Sequence, residues 1–165
     1  MDEFNCIQYL NQAVSCWENV SVGSYRFGGS EYMLGTREIG HVHPDGRVDV
    51  TLPKGIKDQL VQEGRAQPHY IHPDSAMVSF HMHSRGDIHY ALWLLRLGYI
   101  QQLIRQFQHH PAELMRDQIH RQIEELNISP SLRAVFDDLI QEAVKDDPIE
   151  NIGHRKTPRR TFTQL

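Results

Sequence analysis

Cysteine is scarce: Cys6 and Cys16 are the two in 165 residues. That excludes a disulfide framework and a zinc site built on cysteine. Both read as small apolar residues of an N-terminal helix. Long apolar runs are missing too, and none approaches the ~20 residues of a membrane span. The opening MDEFNCIQYL is acidic and lacks the basic-then-apolar plan of a signal peptide. The chain therefore reads as soluble and cytoplasmic. There is no G-x-S-x-G elbow, no Walker loop and no G-x-G-x-x-G. Gly28-Gly29-Ser30 is too short to cradle a phosphate.

Basic charge is also short. Against 21 acidic residues stand 17 basic ones, a net charge of −4. Arg155, Lys156, Arg159 and Arg160 lie in residues 151–165, which hold no acid, so residues 1–150 carry 13 basic and 21 acidic residues, or −8. A body that acidic is a poor match for a phosphate backbone. A nucleic-acid-binding domain then rests only on the basic tail and the sheet. What the chain does have is apolar content, 39%, enough for one core. We expect one domain over residues 1–150, followed by the tail.

The apolar pattern gives the layout. Ile7, Leu10, Val14 and Trp17 recur at the helical period over residues 4–17. Val20, Val22, Tyr25 and Phe27 alternate as in a strand, with a slip near Gly23 that suggests a bulge. After the Gly28-Gly29-Ser30 turn, residues 31–34 and 37–43 read as strands. His43-Pro44-Asp45-Gly46 is the clearest local signal: Pro44 and Asp45 fit a type I turn, and Gly46 the left-handed residue closing a three-residue hairpin. Residues 37–43 and 47–52 then pair with 43 facing 47, 41 facing 49 and 39 facing 51. Val42, Val48, Val50 and Leu52 fall on one face; His41, His43, Arg47 and Asp49 fall on the other. Pro53 opens a short helix that Gly64 ends. A second hairpin turns at His72-Pro73-Asp74-Ser75, with arms over 67–72 and 76–83. A helix over 88–107, capped by Asp87, carries two apolar stripes and must be covered on more than one side. Two amphipathic helices follow, over 112–126 and 131–145. They pack back on the long helix or form a homodimer interface. Segregated helices and hairpins predict an α+β fold: an antiparallel sheet built from hairpins, packed by a long apolar helix, with an N-terminal helix and a C-terminal helical pair.

Several segments carry a resemblance. They are Glu38-Ile39-Gly40-His41-Val42-His43-Pro44-Asp45-Gly46-Arg47-Val48-Asp49-Val50, Gly64-Arg65-Ala66-Gln67-Pro68-His69, Pro73-Asp74-Ser75, and Ala91-Leu92-Trp93-Leu94-Leu95-Arg96-Leu97-Gly98-Tyr99. In their order and spacing, the stretch from Gly35 to Tyr99 resembles the luciferase domain family. The resemblance implies a small α+β domain. It does not imply light emission. Residues 112–165 lie outside it, and the pair His81/His83 does not resemble a family motif.

Eleven histidines are the unusual abundance. His41/His43 and His81/His83 have the His-x-His spacing that puts two imidazoles on one face of a strand. With a three-residue loop in the second hairpin, His69 sits opposite Ser79 and joins His81 and His83. Three imidazoles plus water would suit zinc or another divalent metal. His41 opposite Asp49 suggests a carboxylate that fixes an imidazole tautomer. The candidate metal ligands are His41, His43, His69, His81 and His83. The candidate pocket is His41, His43, Asp49, His69, His81 and Arg96. Arg96, the one charge among Leu94, Leu95 and Leu97, is either an anion hook at a pocket or structural, as a partly buried ion pair or a side chain reaching out to solvent. A cross-strand His–Asp pair also stabilises a sheet with no ligand at all. With no nucleophile constellation, the leading expectation is a non-catalytic module binding a small molecule or a protein. A metal-dependent enzyme is the alternative.

Overall fold

The computed structural model describes residues 6–110 and 112–145. The basic tail lies outside the described residues. In chain order the elements are α1 (Cys6–Val14), β1 (Val20–Ser24), β2 (Ser30–Leu34), β3 (Arg37–Val42), β4 (Arg47–Thr51), α2 (Lys54–Gln62), β5 (Gln67–Pro68), β6 (Met77–His81), α3 (Asp87–His109), α4 (Glu113–Glu125) and α5 (Pro130–Lys145). The strands form one six-stranded sheet in the order β1-β2-β3-β4-β6-β5, and every neighbouring pair is antiparallel. This is the α+β architecture expected from the hairpins and the segregated helices. Among the described residues, no helix is long and apolar enough to cross a membrane.

The first hairpin forms as its turn residues dictate. Gly46 has φ +86°, the left-handed conformation that closes the turn. Its N–H donates to His43 O over 2.9 Å, and His43 N–H donates to Arg47 O over 2.8 Å. His41 therefore faces Asp49, and Val42 faces Val48. Val42, Val48, Val50 and Val78 are all fully buried on the helix-facing side. There α3 lies across β3 and β4, with Ala91, Leu94, Leu95 and Leu97 completely buried. Close approach depends on Gly98: a Cβ there would stand 2.8 Å from Ile39 O and 2.8 Å from Val50 Cγ1. The second stripe of α3 is covered by α4 and α5. These helices bury Ile119 and Ile123, and Leu132, Phe136, Ile140 and Ala143, within the chain itself. Ser129 caps α5, its Oγ accepting from Leu132 N–H over 3.0 Å.

Three local expectations are corrected. Pairing of β1 with β2 runs unbroken from Val20↔Leu34 to Ser24↔Ser30, so there is no bulge at Gly23. The irregularity lies in β3, where Tyr32↔Gly40 is followed by Met33↔Glu38 and Ile39 is the extra residue. The second hairpin is two residues off the expected register: Gln67 pairs with Ser79, and His69 N–H donates to Met77 O. Its longer loop is held by the buried Lys57 of α2, whose Nζ donates to Pro73 O and Ser75 O over 2.5 Å each. Turn chemistry alone could not specify that tether. Finally, Asp87 is the first residue of α3 rather than its cap. Its carboxylate accepts from the His83 and Ser84 N–H groups ahead of the helix.

Candidate functional site

The face of the sheet away from α3 carries a row of polar residues. Register alone sets it: Glu31 of β2 faces His41 of β3, which faces Asp49 of β4, which faces Ser79 of β6, which faces Gln67 of β5. Asp49 is its centre and is 0% exposed. A carboxylate is taken out of water only where donors replace the lost hydration. Ser79 Oγ donates to Oδ1 over 2.5 Å. Around Oδ2 stand His43 Nε2 at 2.8 Å, His41 Nε2 at 3.4 Å, His69 Nε2 at 3.6 Å and Arg47 Nε at 3.6 Å.

Each of these groups is itself held. His41 is 4% exposed and lies against the Tyr25 ring, stacked at 3.9 Å between centroids. Its Nδ1–H donates to Glu38 Oε1 over 2.5 Å. The bulge makes that contact. In regular alternation, Glu38 would share the core face with Val42, and Ile39 the face of His41. The extra residue reverses this, burying Ile39 completely in the core and turning Glu38 onto the polar face. From α3, Gln102 Nε2–H then fixes the Glu38 carbonyl over 2.9 Å. His43 meets Tyr25 edge-on at 5.3 Å. On the other flank, the Arg47 guanidinium lies 4.2 Å from the Tyr70 ring centre.

His69 has a definite tautomer. Its Nδ1 accepts the backbone N–H of Ile71 over 3.3 Å and of His72 over 3.1 Å. A backbone N–H can only donate, so Nδ1 is unprotonated and Nε2 carries the proton. The two-residue register shift keeps His69 on the polar face, because side chains alternate with period two. It aims an N–H, and no lone pair, at Asp49.

The charges follow from this packing. Burial opposes ionisation of Asp49, but hydrogen bonds from His41, Ser79 and His43 outweigh it and hold the carboxyl well below the usual carboxylate range. Burial also works against protonated His41, yet hydrogen bonds with Asp49 and Glu38 raise it to about 9. For His69 burial wins and lowers the pKa, with help from the nearby charges of His72, Arg47 and His41.

The structure thus divides the expected site residues. His41, His43, Asp49 and His69 converge. His81 is exposed at the end of β6, its Nε2 bonded to the Asp45 carbonyl over 2.7 Å, with His83 beside it at 4.5 Å between rings. The trio His69, His81 and His83 does not gather, because the hairpin register brings Gln67, not His69, opposite Ser79. Arg96 lies on α3 across the sheet, between Trp17 and Tyr99 at 4.5 and 4.9 Å from their ring centres. Burial lowers its pKa. Glu38 and Tyr25 are the members that strand alternation misses. Ile39, an apolar residue at a polar-face position, is the sequence sign of the bulge.

Among the described residues, His41, His43 and Asp49 can each offer one donor atom to a common point, the atoms lying within 4.8 Å of one another. A cleft of about 440 Å³ opens beside them, lined by Ser24, Tyr25, Arg26, Glu31, Glu38, His41 and Met77. A larger one, about 610 Å³ between α2 and the second turn, contains none of these histidines.

These features define a small α+β protein whose sheet buries a His–Asp cluster on the face away from its central helix. The model of the Luciferase domain family matches residues 36–98. That span runs from the start of β3 into α3 and contains Glu38, His41, His43, Asp49 and His69, while Tyr25 and the flanking helices lie outside it. The chain is similar to that family over this stretch. No curated protein and no solved structure matches the chain significantly.

Proposed function

We propose that His41 Nε2, His43 Nε2 and Asp49 Oδ2 bind one divalent transition-metal ion, and that the chain acts on a small molecule at that ion. The convergence of the three donors carries the reading. Two ligands bonded at ~2.0–2.1 Å to one zinc stand roughly 3–3.5 Å apart. His41 Nε2 stands 3.4 Å from Asp49 Oδ2, inside that range, and His43 Nε2, at 2.8 Å, would move outward by a few tenths of an ångström to admit the ion. The outer partners fit as well. Glu38 on His41 Nδ1 leaves Nε2 for the metal, and Ser79 on Asp49 Oδ1 leaves Oδ2 for it. Two imidazoles and one carboxylate leave coordination positions open, as metal sites that handle substrate do. A bound ion would supply a Lewis acid and a water of lowered pKa. His69, with its proton on Nε2, stands beside the ion as a donor and not as a ligand.

The test is metal content and calorimetric zinc titration of the full chain. One equivalent is expected, lost in His41→Ala, His43→Ala and Asp49→Ala and kept in His81→Ala. Equal zinc uptake in all four would remove the proposal. One observation favours a second reading, the metal-free binding module. His43 Nε2 already bonds Asp49 at 2.8 Å, closing the network without an ion. A homodimer would have to use what α4 and α5 leave outside, such as Leu114, which is 83% exposed.

A further inference from the structure

We propose that the mouth of this cluster binds an organic carboxylate with an apolar body, the carboxylate held by Arg47 and His69. The inference deepens the metal reading by naming the ligand class of the same site. Two donors at the mouth point inward. Arg47 Nε is buried and has no hydrogen-bond partner. His69 Nε2–H stands 3.6 Å from Asp49 Oδ2, beyond a normal hydrogen bond. Both flank the same oxygen, so an exogenous acceptor on an ion at Oδ2 would lie within reach of each. A buried donor left unpaired is costly, and an anionic acceptor relieves that cost most.

The surroundings choose among anions. The Asp49 carboxylate lies 3.6 Å from Arg47 Nε, and Asp45 Oδ2 lies 3.5 Å from Arg47 Nη1. A doubly charged phosphate would meet both carboxylates; a carboxylate brings one charge. In the cleft beside His41, Glu31 and Glu38 balance Arg26 and His41, whereas the unpaired Nε of Arg47 faces the other side, so the ligand enters there. There the rim is apolar. Tyr70, whose ring lies against Arg47, and Ile71, the residue after it, are 60% and 57% exposed. Large apolar side chains left in water around a polar mouth fit a ligand whose body is apolar.

The experiment titrates octanoate into the zinc-loaded full chain by calorimetry, with acetate and 1-octanol as the two halves of the ligand. Octanoate is expected to bind at least about tenfold tighter than either, since each buried methylene is worth roughly fourfold. Arg47→Met should weaken it about tenfold or more, and Ile71→Ser about threefold. Should Arg47→Met not fold, Arg47→Lys, which moves the donor, takes its place with the same expected direction. Octanol binding as tightly as octanoate overturns the carboxylate contact, and acetate matching octanoate overturns the apolar one. Zinc uptake without octanoate binding overturns this inference and leaves the metal centre standing. If zinc does not bind, the metal reading fails on its own. Octanoate is then titrated into the zinc-free chain, where Arg47-dependent binding upholds the carboxylate site and no binding ends it.

Discussion

Substituting Asp49 by Asn removes one charge from the buried cluster and keeps its shape. Asn Oδ1 can still accept from Ser79, so the loss falls on the histidine side. In the parent without metal, His41 faces Glu38 on its own strand, Glu31 across β2, Asp49 across β4, and His43, Arg47 and His69 around Asp49. Its pKa rises from 6.5 to about 9. That group contributes stability fully present below 6.5 and lost as pH rises through about 9. At 1.36 kcal/mol per unit the whole effect is about 3 kcal/mol. Asp49 and Glu38 share it, so Asp49→Asn should cost about 2 kcal/mol more near pH 5.5 than near pH 10. The low pKa of Asp49 reports largely the same contact and is not added again. Its own contribution is present above its ordinary 3.8 and disappears only in stronger acid. Urea unfolding of parent and variant in chelator, followed by tryptophan fluorescence at both pH values, gives the difference. Comparison at each pH cancels groups common to both. In a His41→Gln background, the pH dependence of the Asp49→Asn cost should vanish. A cost equal at the two pH values within about 0.5 kcal/mol would refute the argument that Asp49 holds His41 protonated.

Two further outcomes are expected. Glu38→Gln leaves the three donors in place but weakens the partner of His41 Nδ1, so zinc affinity measured by chelator competition should fall about 10–100-fold; unchanged affinity would show that the bulge serves packing alone. Gly98→Ala should lower stability by about 1–3 kcal/mol, although the same change at an open helix position gains about 1 kcal/mol. The sign reverses because the new Cβ would meet Ile39 O and Val50 Cγ1 at 2.8 Å. A raised urea midpoint would refute the close approach of α3 to the sheet.

Most of the fold, and half of the candidate site, can be derived from neighbouring residues, and the division has a physical cause. His43-Pro44-Asp45-Gly46 sets its own φ angles, so the register His41↔Asp49 follows from four residues. The apolar stripes of α3, α4 and α5 are equally local, which is why the helix pair could be expected to pack back on the long helix. The missed features answer to distant atoms. Lys57, on a different element, takes the carbonyls of Pro73 and Ser75, and the second hairpin lengthens its loop accordingly. Tyr25 reaches His41 because the chain leaves the sheet after Ser24.

The bulge at Ile39 shows how such a departure creates a site. In regular register Ile39 would face Thr51 on the polar face, an apolar side chain beside His41 where the cluster needs a polar partner. Inserting one residue moves Ile39 into the core and delivers Glu38 to His41 in a single step. Burial of the isoleucine therefore offsets the cost of interrupting the ladder. The carboxylate that orients the histidine arrives as its consequence. A residue that violates strand alternation next to a His-x-His pair thus marks the position where a supporting acid enters the cluster. The same reasoning explains why His81 and His83, where pairing stops at His81 and no acidic side chain lies across the strand, gather no comparable cluster.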